Sequence, residues 1–229
     1  MVDRSELERV VAGFEPGGRL VAVQELTGGV SANVFGLDIV TRSGVVRRVV
    51  FRQHGDMDFK DHAPGVTALE HGVLAALHRE GLPVPEPHHL DVSGAVTAPY
   101  LIIEWIEGST DVTSADLPRA LDQMARFLVG LHALDPDALA VPGLDDIEDP
   151  TAAIGSFLPP EEAGARVRAA LSAAGSRRVP NRRVLLHGDF WPGNVLWRDG
   201  RLAAVVDWED ASIGDPAADL AGARIELLC

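Results

Sequence analysis

Two hydrophobic periods divide this chain, and the point where one gives way to the other fixes what it can fold into. As far as Ile106 the apolar residues come in short runs, "LVAVQEL", "NVFGLDIV", "VVRRVVFRQ" and "PYLIIEW", with "TRSG" as a turn between the second and third. Short runs rich in Val, Ile and Phe, punctuated by turn residues, read as strands of a small antiparallel sheet. One helix interrupts them. "VTALEHGVLAALHREGLPVP" carries Leu69, Val73 and Leu77 on one face, Gly81 as a stop and Pro83 beyond it, and this helix would pack across the sheet.

After Ile106 the period changes. "LPRALDQMARFLVGLHAL" places Leu117, Leu121, Met124, Leu128 and Leu131 at alternating spacings of four and three, the stripe of an amphipathic helix. Helical patterning continues to Val184, where short strands return as "RVLLHGD", "NVLW", a turn at Asp199 and Gly200, and "LAAVVDW". The expected architecture is α+β, with a strand-rich lobe over 1–105 and a mostly helical lobe over 106–229.

Composition removes several classes of function. The single cysteine, Cys229, excludes an intrachain disulfide and a thiolate metal cage. Twenty basic against 34 acidic side chains, a net charge of −14, argue against nucleic acid as a partner, since duplex binding needs clustered Lys and Arg. The opening "MVDRSELERVVAGFEP" is charged and helical in pattern, and no apolar run approaches the roughly 20 residues of a membrane span, so a cytoplasmic location is expected. The acidic "DDIED" run, Asp145 to Asp149, reads as a solvated loop that could also attract a cationic ligand.

Chemistry concentrates in "LLHGDFWPGNVLW" and "LAAVVDWEDASIGDPAADLA". Hard cations such as Mg2+ take oxygen ligands, commonly one or two carboxylates completed by substrate phosphates and water. Asp207, after the apolar "AAVV", suits the charged ligand, and Asn194 offers a neutral carbonyl oxygen. Asp189 is left for another task, such as accepting a proton from a hydroxyl. His187 reads as a hydrogen-bonded scaffold residue, Asp215 and Asp219 as caps or braces of the helix that follows, and Trp191, Trp197 and Trp208 as packing. A zinc hydrolase built on His187, Asp189 and Asp207 is disfavoured, because there is no HExxH or clustered-His pattern.

The pattern HGDxxxxN followed by VVDW resembles the aminoglycoside phosphotransferase family, a branch of the protein-kinase-like fold that phosphorylates small-molecule hydroxyls. The resemblance runs from about Leu20 to Leu228 and implies a two-lobed protein-kinase-like fold. It implies Asp189 as catalytic base, Asn194 and Asp207 as Mg2+ ligands, and ATP or GTP as phosphoryl donor. In the strand-rich half, "LTGGVSANVF" would cover the phosphates with Gly28, Gly29, Ser31 and Asn33. Arg52 stands where the family places a phosphate-contacting lysine or arginine, and Glu70 matches the acid that pairs with it. The connector Glu104, Trp105 and Ile106 would read the purine through its backbone.

The family continues with further helices beyond the "DLA" segment, whereas this chain stops at "ARIELLC", so a C-terminal truncation is expected, with Leu220, Ile225 and Leu228 short of partners. The leading expectation is an ATP- and Mg2+-dependent kinase of a small-molecule hydroxyl. The acceptor class expected from the resemblance is an aminoglycoside- or macrolide-type antibiotic or a metabolite. The alternative is a nucleotide-binding or interaction module without transferase activity.

Overall fold

The computed structural model describes residues 2–26, 32–54, 63–113, 116–148, 161–175 and 181–226, which divide into two compact units. The first comprises Met1–Asp111, Val141–Gly143 and Val195–Glu209, and the second Val112–Ala140, Leu144–Asn194 and Asp210–Cys229. Among the described residues no helix is long and apolar enough to cross a membrane.

The first unit is organised by a five-stranded antiparallel sheet. Its strands are β1 (Arg19–Glu25), β2 (Ala32–Val40), β3 (Val46–His54), β4 (Pro87–Asp91) and β5 (Tyr100–Glu104), in the order β1-β2-β3-β5-β4. The tight turn between β2 and β3 closes through Thr41 and Gly44, the latter at φ +84, where glycine has no Cβ to clash. Side-chain alternation then gives the sheet two working faces. Val49 and Phe51 of β3 join Leu37, Ile39, Tyr100 and Ile102 in one core. Val50 and Arg52, one residue out of step, line a cavity on the other face.

Helix α1 (Arg4–Phe14) covers the first face with Leu7, Val10 and Val11. A capping box fixes its start: the Asp3 side chain accepts from the Glu6 backbone, and the Glu6 carboxylate accepts from the Asp3 N–H. Burying each large apolar side chain in this core contributes about 1.5–3 kcal/mol. Helix α2 (Ala63–Arg79) is the sequence-predicted helix, and it packs against β3, β4 and β5. It stops at Gly81, φ +78, whose N–H reaches the His78 carbonyl. The hairpin of β8 (Val195–Arg198) and β9 (Arg201–Val205) completes the unit, turning through Asp199 and Gly200, both at positive φ. It is tied in by Trp197 bonding Ser109 in both directions and by the Val205 N–H on the Pro83 carbonyl.

The second unit contains α3 (Leu117–Ala133), the short α4 (Pro136–Leu139), α5 (Glu162–Gly175) and α6 (Ala217–Glu226). A small sheet, β6-β10-β7, joins Asp145–Asp146, Ser212–Gly214 and Val184–Leu186. The buried stripe of α3 is Ala120, Met124, Phe127, Leu128 and Leu131, so Phe127 takes the place expected for Leu121, which is exposed. The α+β class read from the sequence is the fold observed, with α1 as an additional helix on the sheet.

Candidate functional site

The cavity in the first unit measures about 260 Å³. Val34 and Val50 of the sheet, Leu196 of β8 and Val206 just after β9 give it apolar walls. Glu104, Trp105 and Ile106 line one side, while Arg52, Glu70 and Asp207 supply its charged groups. An apolar slot with a few convergent polar groups is the ordinary form of a small-molecule site.

Trp105 sits on the connector for identifiable reasons. The Arg48 guanidinium lies 3.8 Å from the centroid of its ring, and its Nε1 donates to Glu107 Oε1 at 2.7 Å. Beneath the indole is Gly36, where an added Cβ would stand 2.8 Å from the ring. The Glu104 N–H is spent on the Glu86 carbonyl, and its carboxylate accepts from the Glu86 N–H, which fixes the strand end that enters the connector.

At the charged groups, Arg52 Nε donates to Glu70 Oε2 at 2.9 Å, and Nη2 donates to Asp207 Oδ1 and to Glu209 Oε2. His54 joins them, with Nε2 2.9 Å from Glu70 Oε2 and Nδ1 2.9 Å from Glu209 Oε2. Burial pushes the Glu70 carboxyl up, but the Arg52 charge and the His54 hydrogen bond outweigh it and hold it below the usual carboxylate range. Asp207 goes the other way: burial raises it further than Arg52 lowers it, and the Glu209 and Glu70 charges add to the rise. Asp207 also adopts φ +69, a left-handed conformation disfavoured for a non-glycine residue and typical of constrained functional positions.

In the second unit, β7 leads into the loop that carries Asp189 and Asn194. Asn194 is buried, and its Nδ2 donates to the Asp189 carbonyl at 2.8 Å and to Asp189 Oδ2 at 2.9 Å, while Asp189 itself is exposed. With Nδ2 committed to Asp189, the Asn194 Oδ1 is the side-chain atom whose chemistry could bind a cation. Phe190 anchors the loop by stacking on Phe127 of α3, centroids 5.7 Å apart. His187 is fully buried, and its Nδ1 accepts from the Asp189 N–H at 3.2 Å.

Asp219 does more than brace its own helix. Its carboxylate accepts from the His187 N–H at 3.1 Å, the Gly188 N–H at 3.0 Å and His132 Nε2 at 2.9 Å, and so ties the loop to α6 and α3. Asp215 is the residue that caps α6, accepting from the Ala217 N–H. Trp197 and Trp208 are buried, whereas Trp191 is 36% exposed and lies over Gly193.

Gly188 is the loop's closest approach to another stretch of backbone: its φ is +89, and an added Cβ would lie 2.2 Å from the Asp210 carbonyl oxygen. Gly188→Ala is expected to destabilise the protein by about 2–4 kcal/mol, the sum of a left-handed penalty and a backbone overlap. Denaturant melts of the two proteins check this, and a midpoint shift below about 0.5 kcal/mol would mean the loop relaxes freely.

The structure thus brings Arg52, Glu70 and Asp207 together around one cavity with Glu104, Trp105 and Ile106, and separately joins Asp189 to Asn194. Gly28, Gly29 and Ser31 lie outside the described residues. Asn33 is not among the cavity-lining residues, and its Nδ2 reaches Gln53 Oε1 across the sheet at 3.5 Å. Sequence reading missed His54 and Glu209. Each stands two residues beyond a residue that was singled out, Arg52 and Asp207.

Asp207 and Asn194 offer oxygen donors of the kind Mg2+ takes. Glu70 and Glu209 are instead engaged by both Arg52 and His54, whereas Asp207 pairs with Arg52. Among the described residues no group of three or more His, Cys, Asp or Glu forms a ready metal cage. Mg2+ does not need one, since substrate phosphates and water complete its shell.

Comparison with known proteins supplies an independent reading. Residues 22–226 match the family described as "Phosphotransferase enzyme family", APH. Viomycin phosphotransferase of Streptomyces vinaceus is 34% identical over 168 residues, covering 65% of this chain and 58% of that protein, so the chain spans less than two thirds of this relative. Among solved structures, a thermostable mutant of aminoglycoside phosphotransferase APH(4)-Ia, in ternary complex with AMP-PNP and hygromycin B, aligns with TM-score 0.70 and 22% identity. That alignment covers 94% of this chain and 75% of the other. Macrolide 2′-phosphotransferase MphH of Brachybacterium faecium aligns with TM-score 0.67 and 22% identity over 94% and 75%. At these identities the two structures show a shared fold.

Proposed function

The chain belongs to the APH phosphotransferase enzyme family, and from that premise we propose that it transfers the γ-phosphoryl group of ATP to a hydroxyl of a small molecule with Mg2+. The observation that carries this reading is the first unit's cavity, apolar along its walls and furnished with the Arg52–Glu70–Asp207 cluster. Purine and ribose would fill the apolar part beside Glu104–Ile106, and the phosphates would meet Arg52, whose guanidinium forks onto phosphate oxygens as readily as onto carboxylates. Because the connector reads the purine through its backbone, GTP is also an admissible donor.

Asp207 and Asn194 would hold the metal in this proposal, and Mg2+ bound there would supply charge neutralisation to the donor phosphates. Asp189 orients the acceptor hydroxyl and takes its proton as the new oxygen–phosphorus bond forms and the bond to the bridging oxygen breaks, releasing ADP. Loop geometry supports this role, since the Asn194 amide fixes the Asp189 carboxylate through Oδ2 and leaves it exposed. Viomycin phosphotransferase, hygromycin B bound to APH(4)-Ia and the macrolide enzyme set the first acceptor panel, to which sugars and amino alcohols are added. A net charge of −14 favours a cationic acceptor.

Asp207→Ala is expected to weaken Mg2+-dependent AMP-PNP binding by about tenfold or more, read as loss of the metal-dependent part of the thermal shift. An unchanged Mg2+ response in that variant would remove Asp207 from the metal site. Nucleotide binding by the parent protein with no ADP release across the whole acceptor panel would favour a binding module over a transferase.

A further inference from the structure

We propose that His54 is a positioning residue of the nucleotide site, a doubly protonated imidazole that holds Glu70 and Glu209 so that Arg52 can exchange its carboxylate partners for nucleotide phosphate. The proposal rests on the nucleotide reading above. Its ground is the geometry of the ring. Arg52 and His54 are two residues apart on β3 and share the face that α2 covers with Glu70. Both ring nitrogens lie 2.9 Å from carboxylate oxygens, Nε2 from Glu70 and Nδ1 from Glu209. A neutral imidazole has one donor and one acceptor, and an ionised carboxylate can only accept. Two carboxylate contacts therefore require a proton on each nitrogen.

The surroundings agree. The His54 side chain is 6% exposed, and among the described residues the charged groups facing it are Arg52 on its own strand, Glu70 on α2 and Glu209 after β9. Burial disfavours the imidazolium, but the hydrogen bonds to Glu209 and Glu70 and the Glu70 charge outweigh it and push the pKa up to about 9, against the opposing Arg52 charge.

A charge count gives the consequence. Arg52 alone touches Glu70, Asp207 and Glu209. Were it the sole cation, turning its Nη2 arm toward an incoming phosphate would strip the partly buried Asp207 and Glu209 carboxylates of their cation, which is unfavourable. His54 keeps an ionic partner on Glu70 and Glu209 throughout, and it offsets one of three negative charges where an anionic ligand must arrive. The residue thus acts through Arg52 and the two glutamates and need not touch the nucleotide.

The test compares two ligands that share purine and ribose and differ in phosphate. Calorimetric titration of AMP-PNP with Mg2+, and of adenosine alone, is run on the parent chain, His54→Gln and His54→Leu. The Leu variant is expected to lose about tenfold or more in AMP-PNP affinity while adenosine affinity holds within about twofold, and Gln, a neutral two-donor amide, to recover part of the loss. Unchanged AMP-PNP affinity in both variants overturns the inference, and so does a parallel loss for both ligands, which would mark a purely structural role. A parent chain that binds neither ligand sinks the nucleotide reading itself, a different result from a parent that binds with insensitive variants. If neither variant folds, long-range 1H–15N spectra of the parent chain near neutral pH decide: protons on both His54 ring nitrogens are expected, and a single neutral tautomer overturns the proposal.

Discussion

Asp189→Asn is expected to lower the rate of the proposed phosphoryl transfer by about 10² to 10⁴-fold, the range of a positioned general base, while AMP-PNP affinity is expected to stay within about twofold. The asymmetry follows from where Asp189 stands. Its side chain is exposed on the loop of the second unit, whereas every residue lining the apolar cavity belongs to the first. An amide at this position keeps an oxygen for the Asn194 Nδ2 bond, so the loop is retained and the capacity to take a proton is lost. Single-turnover ADP release, with an acceptor found by the panel, measures the rate. Transfer within about threefold of the parent would remove Asp189 from the base role and leave positioning as its only contribution.

The sheet and the loop were legible in the sequence to different depths. Short apolar runs marked β1, β2, β3 and β5, each of which packs side chains into the core, whereas β4, "PHHLD", went unread. It is an edge strand headed by Pro87, with His88 and His89 where a buried strand would carry Val or Ile, and edge position tolerates both departures. Leu121 met the helical spacing of α3 yet is exposed, since spacing alone cannot tell which edge of an apolar stripe meets a neighbour. Asp207 and Arg52 were legible from motif order. His54 was not, because a histidine in a strand has many fates, and its partners lie 16 residues away on α2 and on the far side of the chain at Glu209. Asp219 looked like helix-terminus chemistry because it sits in the first turn of α6, and only the folded loop shows its carboxylate collecting two backbone N–H groups and His132.

The same cluster yields the largest expected stability effect. Glu70 is 2% exposed and is shared by Arg52 and His54 through one oxygen, so Glu70→Leu removes the anion and leaves two buried cations facing an apolar side chain. Breaking a buried ion pair by deleting one partner costs about 3–5 kcal/mol, much of it the desolvation of the charge left behind. For a chain of this size that corresponds to a fall in melting temperature of roughly 10 °C. Linkage adds a direction with pH. The folded His54 pKa, about 9, lies above its ordinary value of 6.5, so the imidazolium's contribution is fully present below 6.5 and is lost as pH rises through 9. The Glu70 pKa is depressed, so its contribution is present above the ordinary value of 4.5 and is lost as pH falls through the lower folded value. The gap between parent and variant is therefore widest between these limits. It should narrow toward alkaline pH, where His54 discharges and the parent loses the ion pair that the variant already lacks. Melting curves across that range read it directly. A Glu70→Leu protein as stable as the parent at neutral pH would show that Glu209 and Asp207 alone satisfy both cations, and that the Glu70 pair is dispensable to the fold.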